Sequence, residues 1–156
     1  MSYWDRAIAL VDMNAFFASI EQLDFPELRA RPIGVTNGKT GTCIITSSYE
    51  ARAFGVKTGM RLKEARKLCP DLIQRPARPR RYAEISSRIM AVLADQISPE
   101  MEIFSVDEAF LDITSCQRIL GTPEQIAHRI KRAVHRATGL LCSVGVSGDK
   151  TTAKWA

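Results

Sequence analysis

Asp12, Asp107 and Glu108 are the residues whose types and places point to chemistry. Asp12 closes a short apolar run, residues 7–12, that reads as a buried strand. Asp107 and Glu108 lie between two strand-like runs, 102–106 and 109–114, at a connection of hairpin length. Carboxylates brought together repel unless cations or hydrogen bonds compensate them. Hard oxygen donors on a rigid, partly open sheet edge suit Mg²⁺, which keeps waters and takes remaining ligands from substrate phosphates. Two such ions can clamp the attacking and leaving oxygens of an in-line phosphoryl transfer. The plain alternative is that Asp107 and Glu108 are polar turn residues and Asp12 caps the helix after it.

The surrounding elements decide whether these groups meet. Residues 15–24 read as a helix stopped before Pro26, and 32–36 and 42–47 as strands about a turn-rich Asn37–Gly41 stretch. Residues 49–54 and 61–68 are short helix candidates, and 75–81, with Pro76 and Pro79, reads as a stiff linker. A long helix is expected over 82–97, with Ile85, Ile89, Val92, Leu93 and Ile97 on one face. Thr122, Pro123 and Gln125 form an N-cap, a first-turn proline and a capping box for a second long helix, which Gly139 ends before a strand at 140–146. With 21–78 set aside as an insertion, the order is strand, helix, strand, strand, helix, strand. That is an α+β, ferredoxin-like βαββαβ arrangement. Its first two strands run parallel, with the third antiparallel between them and right-handed crossovers, so the end of the first strand and the hairpin joining the second and third lie at one end of the sheet. Asp12, Asp107 and Glu108 should converge there.

Composition narrows the field. With 46% hydrophobic and 25% charged residues, the 156-residue chain is expected to be globular, and no apolar run is long enough to cross a bilayer. The net charge is +5, and residues 21–78 carry all of the excess, 11 basic against 6 acidic. A basic segment beside a neutral one suits a polyanionic partner, or is simply a solvated face. The four cysteines are isolated and only two histidines accompany them, which argues against a zinc site and fits reduced thiols in a cytoplasm. No Ser-His-Asp or Cys-His grouping is evident.

Within the basic segment, Tyr49 and Arg52 fall at i and i+3 of a short helix, where a phenol and a guanidinium can both reach a phosphate. Each is common at surfaces for other reasons. Lys150 and Lys154 are spaced to reach another phosphate, but the topology ends the last strand at the sheet edge opposite the carboxylates.

Four segments carry a resemblance: ALVDMNAFFASIE at 9–21, SYEARAFGVKTGM at 48–60, SVDEAFLD at 105–112 and SVGVSGDKTTAK at 143–154. In this order, spread along the whole chain, they resemble the N-terminal catalytic region of Y-family (translesion) DNA polymerases, most closely the bacterial DNA polymerase IV type. The resemblance implies a palm, residues 1–20 and 79–156, with a small α/β fingers subdomain at 21–78. It implies that Asp12, Asp107 and Glu108, with the backbone carbonyl of Met13, bind two Mg²⁺ ions. One ion would activate the primer 3′-hydroxyl and the other would hold the incoming triphosphate. Tyr49, Arg52 and Lys154 would grip that triphosphate, with a further contact from Thr46, while Ile45 would cover the nascent base pair. Phe17 would be the steric gate, a ring against the sugar C2′ that leaves no room for a ribose 2′-hydroxyl; on the residues alone it reads as part of a helix core. The implied partners are primer-template DNA and deoxynucleoside triphosphates, in the cytoplasm, with no membrane.

The chain departs from the family pattern in places. Asn14 stands where many relatives have a second Asp, although polymerase V-type catalytic subunits also carry Asn there, and Asp149 interrupts a more usual Asn-Lys pattern. Relatives continue into a thumb and a little finger, so the chain is expected to be truncated, and a sliding clamp would be met only through the missing end. Two other readings stay open. One is a non-catalytic nucleotide- or DNA-binding piece. The other is a nucleotide cyclase on a similar palm, in which Tyr49 and Arg52 would have no role.

Overall fold

A computed structural model describes residues 6–38 and 40–148. In chain order the elements are β1 Ile8–Met13, α1 Phe16–Asp24, a 3₁₀ turn Pro26–Leu28, β2 Ile33–Thr36, β3 Ile44–Ser47, α2 Tyr49–Arg52, α3 Leu62–Leu68 and β4 Ile73–Pro76. There follow α4 Pro79–Gln96, β5 Met101–Ser105, β6 Glu108–Asp112, α5 Gln117–Leu120, α6 Pro123–Thr138 and β7 Cys142–Ser147. They form two compact units, Met1–Asn14 with Ala83–Ala156, and Ala15–Tyr82.

The first unit holds a four-stranded sheet in the order β5-β6-β1-β7. Every neighbouring pair is antiparallel, so β6 sits between β1 and β5 as the ferredoxin-like reading requires. Side chains alternate across a strand. One face therefore carries Ile8, Leu10 and Asp12 from β1 opposite Asp112, Phe110 and Glu108 from β6. Ile8, Leu10 and Phe110 form a separate apolar cluster on it. Ala9, Val11, Ala109 and Leu111 on the other face are buried, as are Ile85, Ile89 and Leu93 of α4 and Ile126, Ile130 and Val134 of α6. The α6 start is as expected: Thr122 accepts from the Gln125 amide, the Gln125 side chain accepts from the Thr122 amide, and Pro123 follows the cap. Gly139, at φ 78°, takes the left-handed conformation that ends the helix.

The second unit is built on a three-stranded sheet, β3-β2-β4, with β2 antiparallel to β3 and parallel to β4. Ile44, Ala51, Val56, Ala65, Cys69 and Leu72 make its small core. Residues 75–81 are not a linker. Pro76 is the last residue of an edge strand, and Pro79 is the first residue of α4. A proline has no N–H to donate, and both are places where none is needed. The 3₁₀ turn and α5, also unforeseen, are each of four residues or fewer. Periodicity has no purchase on elements that short.

Candidate active site

The carboxylates converge. Asp12 and Glu108 are directly opposed in the β1–β6 ladder, and Asp107 occupies the turn before β6. One oxygen from each of Asp12, Asp107 and Glu108 can be chosen so that all lie within 4.8 Å of one another. Backbone hydrogen bonding fixes that turn to β1, because the Met13 amide donates to the Asp107 carbonyl at 3.0 Å. Ser105 donates its hydroxyl to Asp107 Oδ1 at 3.0 Å, which orients the carboxylate. Asp12 is exposed, and Asp107 and Glu108 are half-buried.

Asn14 closes the adjacent edge. Its amide donates to the Leu141 carbonyl at 3.2 Å, and its Oδ1 accepts from the Ser143 hydroxyl at 2.7 Å. Ser143 in turn is the β7 residue opposite Asp12. Neither Ser105 nor Ser143 was singled out from the sequence, although both open segments that carry the family resemblance.

The donor set fits a hard divalent cation. It is all oxygen, it lies on a rigid sheet edge and it is open to solvent on one side. Among the described residues no arginine or lysine forms an ion pair with Asp107 or Glu108, so their charge is left for something else to neutralise.

Tyr49, Arg52, Thr46, Ile45 and Phe17 lie in the second unit and are described within it. Ser48 caps α2, its Oγ accepting from the Ala51 amide. That helix presents Tyr49 and Arg52, both exposed. Arg52 donates from Nε to the Ser47 carbonyl at 3.1 Å, and its guanidinium lies 5.1 Å from the Tyr49 ring centroid. Thr46 is paired with Val35 in the β2–β3 ladder and is half-buried, next to exposed Ile45. Phe17 stands in the first turn of α1, half-buried, with its ring stacked on Tyr82 at 4.3 Å and 12°. Lys150 and Lys154, with Asp149, lie outside the described residues.

A charged network in this unit went unread in the sequence. Glu21, fully buried, accepts from Arg75 at 3.1 Å, from Arg78 Nε at 2.7 Å and from the Tyr82 hydroxyl at 3.0 Å. Asp24 takes Arg78 at 2.9 Å and Arg81 at 2.9 and 3.0 Å, and the Arg81 hydrogen bond foremost holds its carboxyl below the usual range. Once 75–81 is read as linker, its arginines lose their reason to be there. The helical i, i+4 spacing of Phe17 and Glu21 was the available signal.

Residues 11–156 match the impB/mucB/samB family (IMS). The chain belongs to that family. Among family relatives, the DNA polymerase IV of Desulfatibacillum aliphaticivorans is 41% identical over 150 residues, covering 96% of this chain and 38% of the relative. That of Treponema denticola is 44% identical over 144 residues, covering 92% and 36%. The chain thus spans less than two-fifths of the length of either. Of solved structures, the insertion ternary complex of Dbh DNA polymerase superposes with a TM-score of 0.85 at 33% identity over 95% of this chain and 44% of that one. DinB from Sulfolobus solfataricus gives a TM-score of 0.85 at 32% identity, with the same coverage. The family fold is therefore the α+β, two-sheet architecture described above. No helix among the described residues is long and apolar enough to cross a membrane.

Proposed function

We propose that this chain is the catalytic core of a translesion-type DNA polymerase, a DNA-directed nucleotidyltransferase that adds deoxynucleotides to a primer 3′-hydroxyl. The observation that carries the reading is the Asp12–Asp107–Glu108 group on the sheet edge of a family member whose relatives are DNA polymerases.

In this reading residues 1–20 and 79–156 are the palm and 21–78 the fingers. Asp12, Asp107 and Glu108, with the Met13 carbonyl, would hold two Mg²⁺ ions. Bound there, the ions would favour loss of the primer hydroxyl's proton and offset the negative charge on the departing pyrophosphate. The protein's own part is positional. Ser105 holds Asp107 in one orientation, and the β1–β6 ladder keeps Asp12 and Glu108 from drifting apart. Arg52, braced by the Ser47 carbonyl, would make a bidentate contact with the triphosphate, and Tyr49 would add a hydrogen bond. Thr46 and Lys154 would contribute further phosphate contacts, and Phe17 would exclude the ribose 2′-hydroxyl. Primer-template DNA would be held mainly through its phosphates, so binding should fall steeply with salt. The four cysteines are free, as suits the reducing cytoplasm.

Single-turnover primer extension with Mg²⁺ and four deoxynucleotides, run beside Asp107→Ala, tests the proposal. Extension that the substitution abolishes is the expected result. Undiminished extension by Asp107→Ala would remove the carboxylates from the chemistry. Nucleotide binding without extension by either chain would favour the second reading, a nucleotide- and DNA-binding piece.

A further inference from the structure

Phe17 and Glu21 are one helical turn apart on α1, and Tyr82 reaches both. Its ring lies flat on Phe17, 4.3 Å between centroids and 12° from parallel, while its hydroxyl donates to Glu21 Oε2 at 3.0 Å. Tyr82 is therefore held at two points by a single helix. Glu21 itself cannot shift, because Arg75 and Arg78 grip its two oxygens and it has no exposure to solvent. The two guanidinium groups are in turn backed by the Phe25 ring, at 4.5 and 4.9 Å from its centroid. Burial, followed by the nearby Glu21 charge, pushes the Tyr82 phenol well above its ordinary pKa, so it stays a proton donor.

The bland account of this network is that it ties α1 to β4 and α4. A buried ion pair is a poor way to gain stability alone, since desolvation offsets most of the attraction. It is a good way to specify one geometry. A ring that selects by exclusion is only as strict as it is immobile, because a gate free to swing aside admits the group it should reject.

We infer that Glu21 is a positioning residue for sugar selection, acting through Tyr82 to fix the plane of the Phe17 ring. The inference rests on Phe17 being the steric gate. It adds to that reading the device that makes the gate rigid, which requires a carboxylate at 21 and a hydroxyl at 82 and not merely bulk.

The test is the ratio of dGTP to GTP affinity, measured calorimetrically with Mg²⁺ on the full chain, with the melting temperature of each variant recorded. The unsubstituted chain should prefer dGTP, and Phe17→Ala should bring the ratio close to one. Tyr82→Phe keeps the ring and removes one hydrogen bond; it should lower the ratio about three- to tenfold, the range set by the net worth of a typical single hydrogen bond. Glu21→Gln should do the same, and if it fails to fold, Tyr82→Phe decides. A merely structural network would lower the melting temperature and leave the ratio unchanged. Loss of preference in Phe17→Ala with full preference in folded Tyr82→Phe would overturn the inference alone. Unchanged preference in Phe17→Ala, or no nucleotide binding at all, would overturn the gate assignment and this inference with it.

Discussion

Asp12 and Glu108 stand directly opposite each other in the antiparallel β1–β6 ladder, two acids where cross-strand neighbours normally avoid like charge. The adjoining turn adds Asp107, oriented by Ser105. The ladder that holds these groups is anchored by Ile8, Leu10 and Phe110 on the same face, so packing holds the backbones of the two acids opposite each other.

That arrangement predicts opposite effects with and without metal. In a chelator, Asp12→Asn should leave stability unchanged or raise it by up to about 1 kcal/mol, because one repulsive pair is removed. With Mg²⁺ added, the unsubstituted chain should melt at a higher temperature by mass action, and Asp12→Asn should gain little. Thermal melts across a Mg²⁺ series check both. Equal metal-induced shifts in the two chains would remove Asp12 from the ligand set.

Arg52 is braced by the Ser47 carbonyl, so its guanidinium is presented with part of its freedom already lost. Arg52→Lys should weaken triphosphate affinity nearly as much as Arg52→Ala, about tenfold or more, because a lysine cannot make the bidentate contact. Titration with a non-hydrolysable deoxynucleoside triphosphate distinguishes this from simple loss of charge, which the lysine would preserve.

The Asp24 carboxyl is held below its ordinary range, first by the Arg81 hydrogen bond and against the opposing effect of burial. A carboxyl with a lowered folded pKa contributes stability above its unfolded value and loses it as pH falls through the folded one. The stability difference between the unsubstituted chain and Asp24→Asn should therefore be flat above about pH 5 and shrink below about pH 4. Denaturant melts across that range measure it; a difference independent of pH would mean the ion pairs contribute nothing.

Thr122 caps α6 through its side chain, and the reciprocal Gln125 bond completes the box. Thr122→Ala should cost about 1 kcal/mol, and Thr122→Ser almost nothing. Equilibrium unfolding of the two variants checks the direction and the contrast.

Thiol reactivity should follow burial. Burial foremost pushes the Cys142 thiol up to about 11, so at pH 8 it is protonated as well as shielded. Cys43 is exposed. Iodoacetamide at pH 8 should label Cys43 well before Cys142 in the folded chain, and denaturant should abolish the difference. Mass spectrometry of timed samples reads this directly.

Much of the fold was written in local pattern. The α6 cap, box and closing glycine are chemistry between residues within a few positions of one another, and they stand in the structure as expected. The strand–helix order of the first unit follows from apolar runs of the right period, and it is enough to bring Asp12 to Asp107 and Glu108. The stretch at 75–81 shows where pattern fails. Two prolines and four arginines look like a linker because their partners, Glu21 and Asp24, lie more than 50 residues away. All four residues of β4 are half-buried, so its two faces leave no alternating pattern to read.

By itself, then, the sequence determined the strand and long-helix order of the first unit, its βαββαβ topology and the three carboxylates that topology must gather, since each depends on period, turn chemistry and the handedness of short connections. Only the tertiary structure decided which hydroxyl orients Asp107, that β4 pairs parallel with β2, and that the Phe17 ring lies on Tyr82 above a buried Glu21. Those are contacts between residues distant in the chain or free to choose a rotamer, and burial and geometric fit, which choose among them, exist only once the chain has folded.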